Sequence, residues 1–63
     1  MNQTNDHKFK IGDHIIDKDF PYEAYYVYSI TDDSYEVKWV NDWGEIEYAL
    51  IRFDEEEQHC KVN

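Results

Sequence analysis

Basic residues are scarce in this chain. Six Lys and Arg stand against fifteen Asp and Glu, a formal net charge of −9 at pH 7 over 63 residues. Such a surface repels the phosphates of nucleic acids and the headgroups of anionic membranes, and it attracts basic surfaces. Direct nucleic-acid binding and membrane adsorption are therefore not expected. Cysteine is almost absent. Cys60 alone excludes an internal disulfide and fits a reducing, cytoplasmic setting. No apolar run is long enough for a membrane-spanning helix or a secretory signal. Glycine is limited to Gly12 and Gly44, which stand alone, so no phosphate-cradling loop can be drawn.

Aromatic residues are plentiful by contrast: six Tyr, three Phe and two Trp. A chain this short buries only about 60% of its unfolded surface and must use bulky side chains well. Residues 1–8 are polar and unpatterned and read as a flexible N-terminal arm. Residues 9–53 read as a single small β domain. Residues 54–63 read as an acidic C-terminal tail or a short helix, since carboxylates suit a helix N-terminus.

Within the domain, Phe9–Asp17 has the look of a first strand with Phe9, Ile11 and Ile15 inward and a bend at Gly12-Asp13. Lys18–Tyr22, containing Pro21, reads as a loop. Glu23–Ile30 is rich in β-branched and aromatic residues. Strict alternation there places Tyr26, Tyr28 and Ile30 on one face and Tyr25, Val27 and Ser29 on the other. Ser34–Leu50 reads as a hairpin about Asn41-Asp42-Trp43-Gly44. Tyr35, Val37 and Trp39 form the apolar face of its first strand, and Ile46, Tyr48 and Leu50 that of its second. Ile51–Phe53 reads as a short closing strand or a 3₁₀ turn. The whole predicts a mostly β fold, a strongly bent antiparallel sheet of four to five strands of the SH3-like barrel type, with either a short helix or a tail at the C-terminus.

The stretch Y-E-V-K-W-V (Tyr35–Val40) resembles the core strand of chromodomains, and F-K-I-G-D-H-I (Phe9–Ile15) is similar to the opening strand of Tudor and related SH3-like barrels. That resemblance implies a reader of peptides bearing methyl-lysine, held in an aromatic cage by cation–π attraction. Tyr25 and Trp39 match two cage positions. The third falls on Asp42, with Trp43 one place later, and the family's W-E-P close is missing.

The carboxylates point elsewhere. Glu45 and Glu47 share a strand face about 6.6–6.8 Å apart. Asp13 and Asp17 add to the first strand, Asp32, Asp33 and Asp42 sit at turns, and Asp54, Glu55, Glu56 and Glu57 follow one another. Small, acidic, aromatic-rich single domains are similar in size and charge to bacteriophage DNA-mimic proteins. That likeness implies a cytoplasmic inhibitor which occupies the DNA-binding surface of a basic host protein. Tyr25, Trp39 and Trp43 are the partner-binding aromatic candidates for such a protein–protein interaction, with Trp43, in the turn, the one expected to be an exposed anchor. An accessory subunit packing against a larger complex, or against a second copy of itself, is the plainer alternative. No catalytic constellation, cofactor motif or metal-ligand spacing is present; His59-Cys60 is adjacent and His7 and His14 stand apart. The sequence therefore predicts no enzyme, no metal site and no cofactor.

Overall fold

In a computed structural model, residues 7–62 are described. They form one open antiparallel sheet with strands β1 (His14–Asp17), β2 (Phe20–Ile30), β3 (Ser34–Val40), β4 (Ile46–Arg52) and β5 (His59–Val62). A 3₁₀ helix, Phe53–Gln58, links the last two. The order across the sheet is β4-β3-β2-β1-β5. It is a meander whose last strand returns to pair with the first, so most pairings are local, which suits a short chain. The expected mostly β class is present, and of the two readings of the C-terminal stretch, tail or short helix, residues Phe53–Gln58 take the helix. Among the described residues no helix is long and apolar enough to cross a membrane.

Phe9, Ile15, Val27, Tyr35, Val37 and Ile51 form the core, with Tyr25, Ile30 and Phe53 packed against it. All lie on one face of the sheet, here termed the inner face. Phe9 reaches it from ahead of β1, its ring edge-to-face with Tyr35 at 5.4 Å. Ile11, expected inside, is 61% exposed. The cause is local. The chain turns between Lys10 and Asp13, with the Asp13 amide donating to the Lys10 carbonyl (3.0 Å) and the Lys10 amide to Asp13 Oδ2 (2.9 Å). Gly12 takes φ +99°, which a side chain would resist, and Ile11 sits on the outside of that turn.

Three further expectations are revised. The loop expected over Lys18–Tyr22 is only a two-residue turn, since Asp17 already pairs with Phe20. Pro21 sits in β2 ahead of the first β2–β3 partner, Tyr26, so its missing N–H breaks no bond to β3. The register of β2 against β3 then shifts between Val27 and Ser29, where Tyr28 is the extra residue. Past that bulge Ser29 faces Glu36 and Ile30 faces Tyr35. Ile30 therefore joins Val27 at the core instead of sharing the face of Tyr26 and Tyr28.

The largest revision concerns the β3–β4 hairpin. Tyr35 pairs with Ile51, Val37 with Ala49 and Trp39 with Glu47; Glu36 pairs with Leu50, Lys38 with Tyr48 and Val40 with Ile46. Directly opposed residues share a face. Ile46, Tyr48 and Leu50 thus lie on the outer face, away from Tyr35, Val37 and Trp39, and are 54–63% exposed. The loop length decides this. Asn41 still pairs with Glu45, its amide donating to the Glu45 carbonyl at 2.8 Å, which leaves the three-residue loop Asp42–Gly44. Gly44 takes the left-handed conformation that such loops require, at φ +79°. A three-residue loop sets odd residues against odd, and a slip of one would exchange the faces.

The 3₁₀ helix and β5 close the other end. Ile51 is buried at the end of β4, but Phe53 already opens the helix, and the sheet is completed by His59–Val62. Gln58 donates through its side chain to Asp17 Oδ1 (2.9 Å), and its carbonyl accepts the Lys18 amide (2.9 Å). The expected N-terminal arm lies outside the described residues up to residue 6. His7 and Lys8 are seated, His7 stacking on Phe53 with ring centroids 4.4 Å apart and Lys8 donating to the His59 carbonyl at 3.2 Å.

Candidate functional site

The carboxylates singled out in the sequence fall into three settings. Asp13 and Asp17 are engaged by the fold itself. Asp13 caps the Lys10–Asp13 turn and lies 3.6 Å from Lys61 Nζ, with its side chain only 16% exposed. Asp17 accepts from the Gln58 side chain and the Asp19 amide, and lies 4.0 Å from His59 Nε2. Those contacts, the Gln58 hydrogen bond first, hold the Asp17 carboxyl below its ordinary range.

A second group stands at the hairpin tip. Asn41 organises it. Its Oδ1 accepts the Trp43 and Glu45 amides, each at 2.9 Å, and its Nδ2 donates to Glu47 Oε2 at 2.8 Å. Asp42, Glu45 and Glu47 are all exposed there. The sequence offered Asn41 only as a turn former; its role as the residue that aims Glu47 was not readable.

The third group is the densest. Asp33 and the 3₁₀ helix meet at the far end of the hairpin, where the Phe53 amide donates to the Asp33 carbonyl at 2.9 Å. Arg52 lies between Asp33 (3.9 Å) and Asp54 (3.6 Å), and Lys8 lies 3.7 Å from Glu57. These pairs are exposed and hold little energy, about 0–1 kcal/mol each. Glu55 Oε1 accepts the Arg52 amide at 3.1 Å, and Glu56 turns inward to accept the Tyr35 hydroxyl. Asp32, Asp33 and Asp54–Glu57 thus put six carboxylates at one end of the molecule against Arg52 and Lys8.

Spacing separates the two exposed groups. Successive residues of a 3₁₀ helix rise about 2.0 Å, and with Glu56 turned inward the run presents Asp54, Glu55 and Glu57 outward over about 6 Å. Duplex DNA carries one charge per ~1.7 Å of axis. Glu45 and Glu47, at ~6.8 Å along a strand, are sparser.

The aromatic candidates divide as well. Tyr25 and Trp39 meet on the inner face beyond the core, edge-to-face at 4.8 Å. Burial first, and then the charges of Glu23 and Asp17, push the Tyr25 hydroxyl pKa up. Trp43 stands apart at the hairpin tip, 83% exposed. In the Tyr25–Trp39 pair the edge of one ring covers the face of the other, a face that a bound cation would need.

A second aromatic group, unmarked in the sequence reading, occupies the outer face. Lys38 Nζ lies 5.7 Å from the ring centroids of both Tyr26 and Tyr28, and Tyr28 is edge-to-face with Tyr48 at 5.9 Å. Here the chain's own ammonium already fills the cation position. A groove of ≈ 210 Å³ opens beside it, lined in part by His14, Tyr26, Val40 and Ile46.

No family model matches the chain, and no curated protein or solved structure matches it either. The likeness to chromodomains rests on the residues quoted above.

Proposed function

We propose that this is a non-catalytic interaction protein that binds and inhibits a basic, DNA-binding protein by mimicking DNA. Its exposed carboxylates stand where phosphates would. The observation that carries this reading is the carboxylate group built from Asp32, Asp33 and the 3₁₀ run Asp54–Glu57. Asp54, Glu55 and Glu57 of that run stand close together at the surface, and among the described residues two basic side chains, Arg52 and Lys8, lie against the group. Asp42, Glu45 and Glu47 add a second, separate acidic group at the hairpin tip. Such a surface steers a basic partner by long-range attraction and weakens with added salt. The size-and-charge likeness to phage DNA mimics supports the same reading.

Capture on the immobilised full chain from a cell lysate tests it. The expected bound protein is a DNA-binding one, retained at low salt, released at raised salt and displaced by duplex DNA. Capture of a partner indifferent to both duplex DNA and salt contradicts it.

A second reading, a reader of a cationic peptide side chain at Tyr25 and Trp39, requires their edge-to-face contact to open so that a ring face is freed. That reading predicts loss of peptide binding in Trp39→Ala with little dependence on salt.

A further inference from the structure

We infer that β4, one of the two edges of the sheet, pairs with β4 of a second copy of this chain. This inference stands apart from the acidic reading, because it uses the part of the surface that carries least negative charge.

Edge strands are ordinarily protected by brevity, proline, bulges or a lysine on the strand. β4 is not short and has no proline, bulge or lysine; its charged side chains, another protection of an edge, are Glu47 and Arg52. It runs for seven residues, Ile46–Arg52, in unbroken register with β3. Its outward backbone groups can be identified. The Glu45 carbonyl accepts the Asn41 amide and so points toward β3, as does the Phe53 amide, which donates to Asp33. By the alternation of an antiparallel ladder, the amides and carbonyls of Ile46, Tyr48 and Leu50 then point away from β3, with no strand of the described residues beside them.

The side chains on that edge are apolar where they are exposed. Ile46 is 54%, Tyr48 63% and Leu50 62% exposed, with Val40 (62%) beside Ile46. A two-fold axis at Ala49 sets Tyr48 against Leu50 of the second copy and Leu50 against its Tyr48. Those four residues exchange the outward hydrogen bonds, and an aromatic–aliphatic pair forms on each side of the axis. Ile46 then faces Arg52 of the second copy, and Glu47 faces its Ile51, so no carboxylate is set directly against another.

The register about Ala49, which opposes no two carboxylates, accommodates a second copy, and charge shapes the association. The outer face of β4 carries no carboxylate, and that of β3 carries Glu36 beside Lys38. Two chains of net charge −9 still repel at longer range. Salt screens that repulsion over about 8 Å at physiological ionic strength. Dimer formation therefore strengthens as salt rises, opposite in sign to the binding of a basic partner.

Sedimentation of the full chain over a concentration series, at low and high sodium chloride, tests this. The expected species has twice the 7.7 kDa chain mass and a dissociation constant that falls with salt. Tyr48→Lys/Leu50→Lys is expected to return it to the single-chain mass with its far-ultraviolet circular dichroism retained. Amide hydrogen exchange gives a reading that needs no variant. The Tyr48 and Leu50 amides gain protection as concentration rises, while Ala49 and Ile51, bonded to β3, are protected throughout. A single-chain mass under all conditions overturns the inference. So does a dimer that survives the double substitution or leaves the Tyr48 and Leu50 amides unprotected.

Discussion

The Tyr35 hydroxyl donates to Glu56 Oε2 at 2.5 Å, and the Tyr35 hydroxyl oxygen accepts the Phe9 amide at 3.3 Å. One buried side chain thereby ties β3 to the 3₁₀ helix and to the segment ahead of β1. A charge-assisted hydrogen bond of this kind contributes about 1.5–3 kcal/mol. Tyr35→Phe keeps the ring packing and removes the tie. Chemical denaturation is expected to show a loss of that size.

The same hydroxyl gives an alkaline signature. Burial first, and then the Glu56 hydrogen bond, push the Tyr35 pKa from 10.0 up to about 12. A raised folded-state pKa contributes stability that is full below pH 10 and is lost as pH rises toward 12. Two units correspond to about 3 kcal/mol. Denaturation midpoints of the native chain and Tyr35→Phe, compared across pH 9 to 12, should converge as Tyr35 ionises.

Asp17 acts at the opposite end of the scale. Its carboxyl is held below the ordinary 3.8 by Gln58, the Asp19 amide and His59. A lowered pKa contributes stability present above the ordinary value and lost as pH falls below it. Asp17→Asn should therefore flatten the acid limb of the stability profile below about pH 4, read by thermal melting. Gln58→Ala should do so in part.

Ile15 and Leu50 look alike in the sequence, each an aliphatic residue in an alternating strand. Ile15 is fully buried and Leu50 is 62% exposed. Ile15→Ala is expected to cost about 2–5 kcal/mol, enough to unfold much of so small a domain. Leu50→Ala should stay within about 0.5 kcal/mol for the single chain. Parallel urea titrations separate the two, and equal costs would contradict the face assignment of the β3–β4 hairpin.

That assignment marks where the sequence could be read and where it could not. The alternation Tyr35-Val37-Trp39 and the turn at Asn41–Gly44 were legible because period two and turn chemistry are local. Whether Ile46, Tyr48 and Leu50 faced the core was not, because it depends on one loop residue more or less. The bulge at Tyr28, which brings Ile30 inward, left no mark in a run where every residue favours a strand. β5 was hidden for the opposite reason. His59-Cys60-Lys61-Val62 has little strand character, and its pairing with β1 is a long-range event. Of the candidate site, the exposure of Asp54, Glu55 and Glu57 was legible from the polarity of the run. The inward turn of Glu56 to Tyr35 and the structural employment of Asp13 and Asp17 were not.

Gly44 carries the hairpin geometry. Gly44→Ala places a side chain at φ +79°, although nothing crowds the site. The expected cost is the backbone term alone, about 1–2 kcal/mol, measured by thermal melting. Because Gly12 sits at φ +99° with equal room around it, Gly12→Ala should also cost stability.

The central claim is that exposed carboxylates make the contact. Its most direct measurement compares the native chain with Glu45→Gln/Glu47→Gln/Asp54→Asn/Glu55→Gln/Glu57→Gln. Glu56 is left intact because it holds Tyr35. Binding to the captured DNA-binding protein is titrated for both chains at several salt concentrations. The account predicts affinity at least tenfold weaker for the neutralised chain, about 1.4 kcal/mol or more, and a shallower salt slope. Unchanged affinity and an unchanged salt slope, with the fold intact, would contradict it.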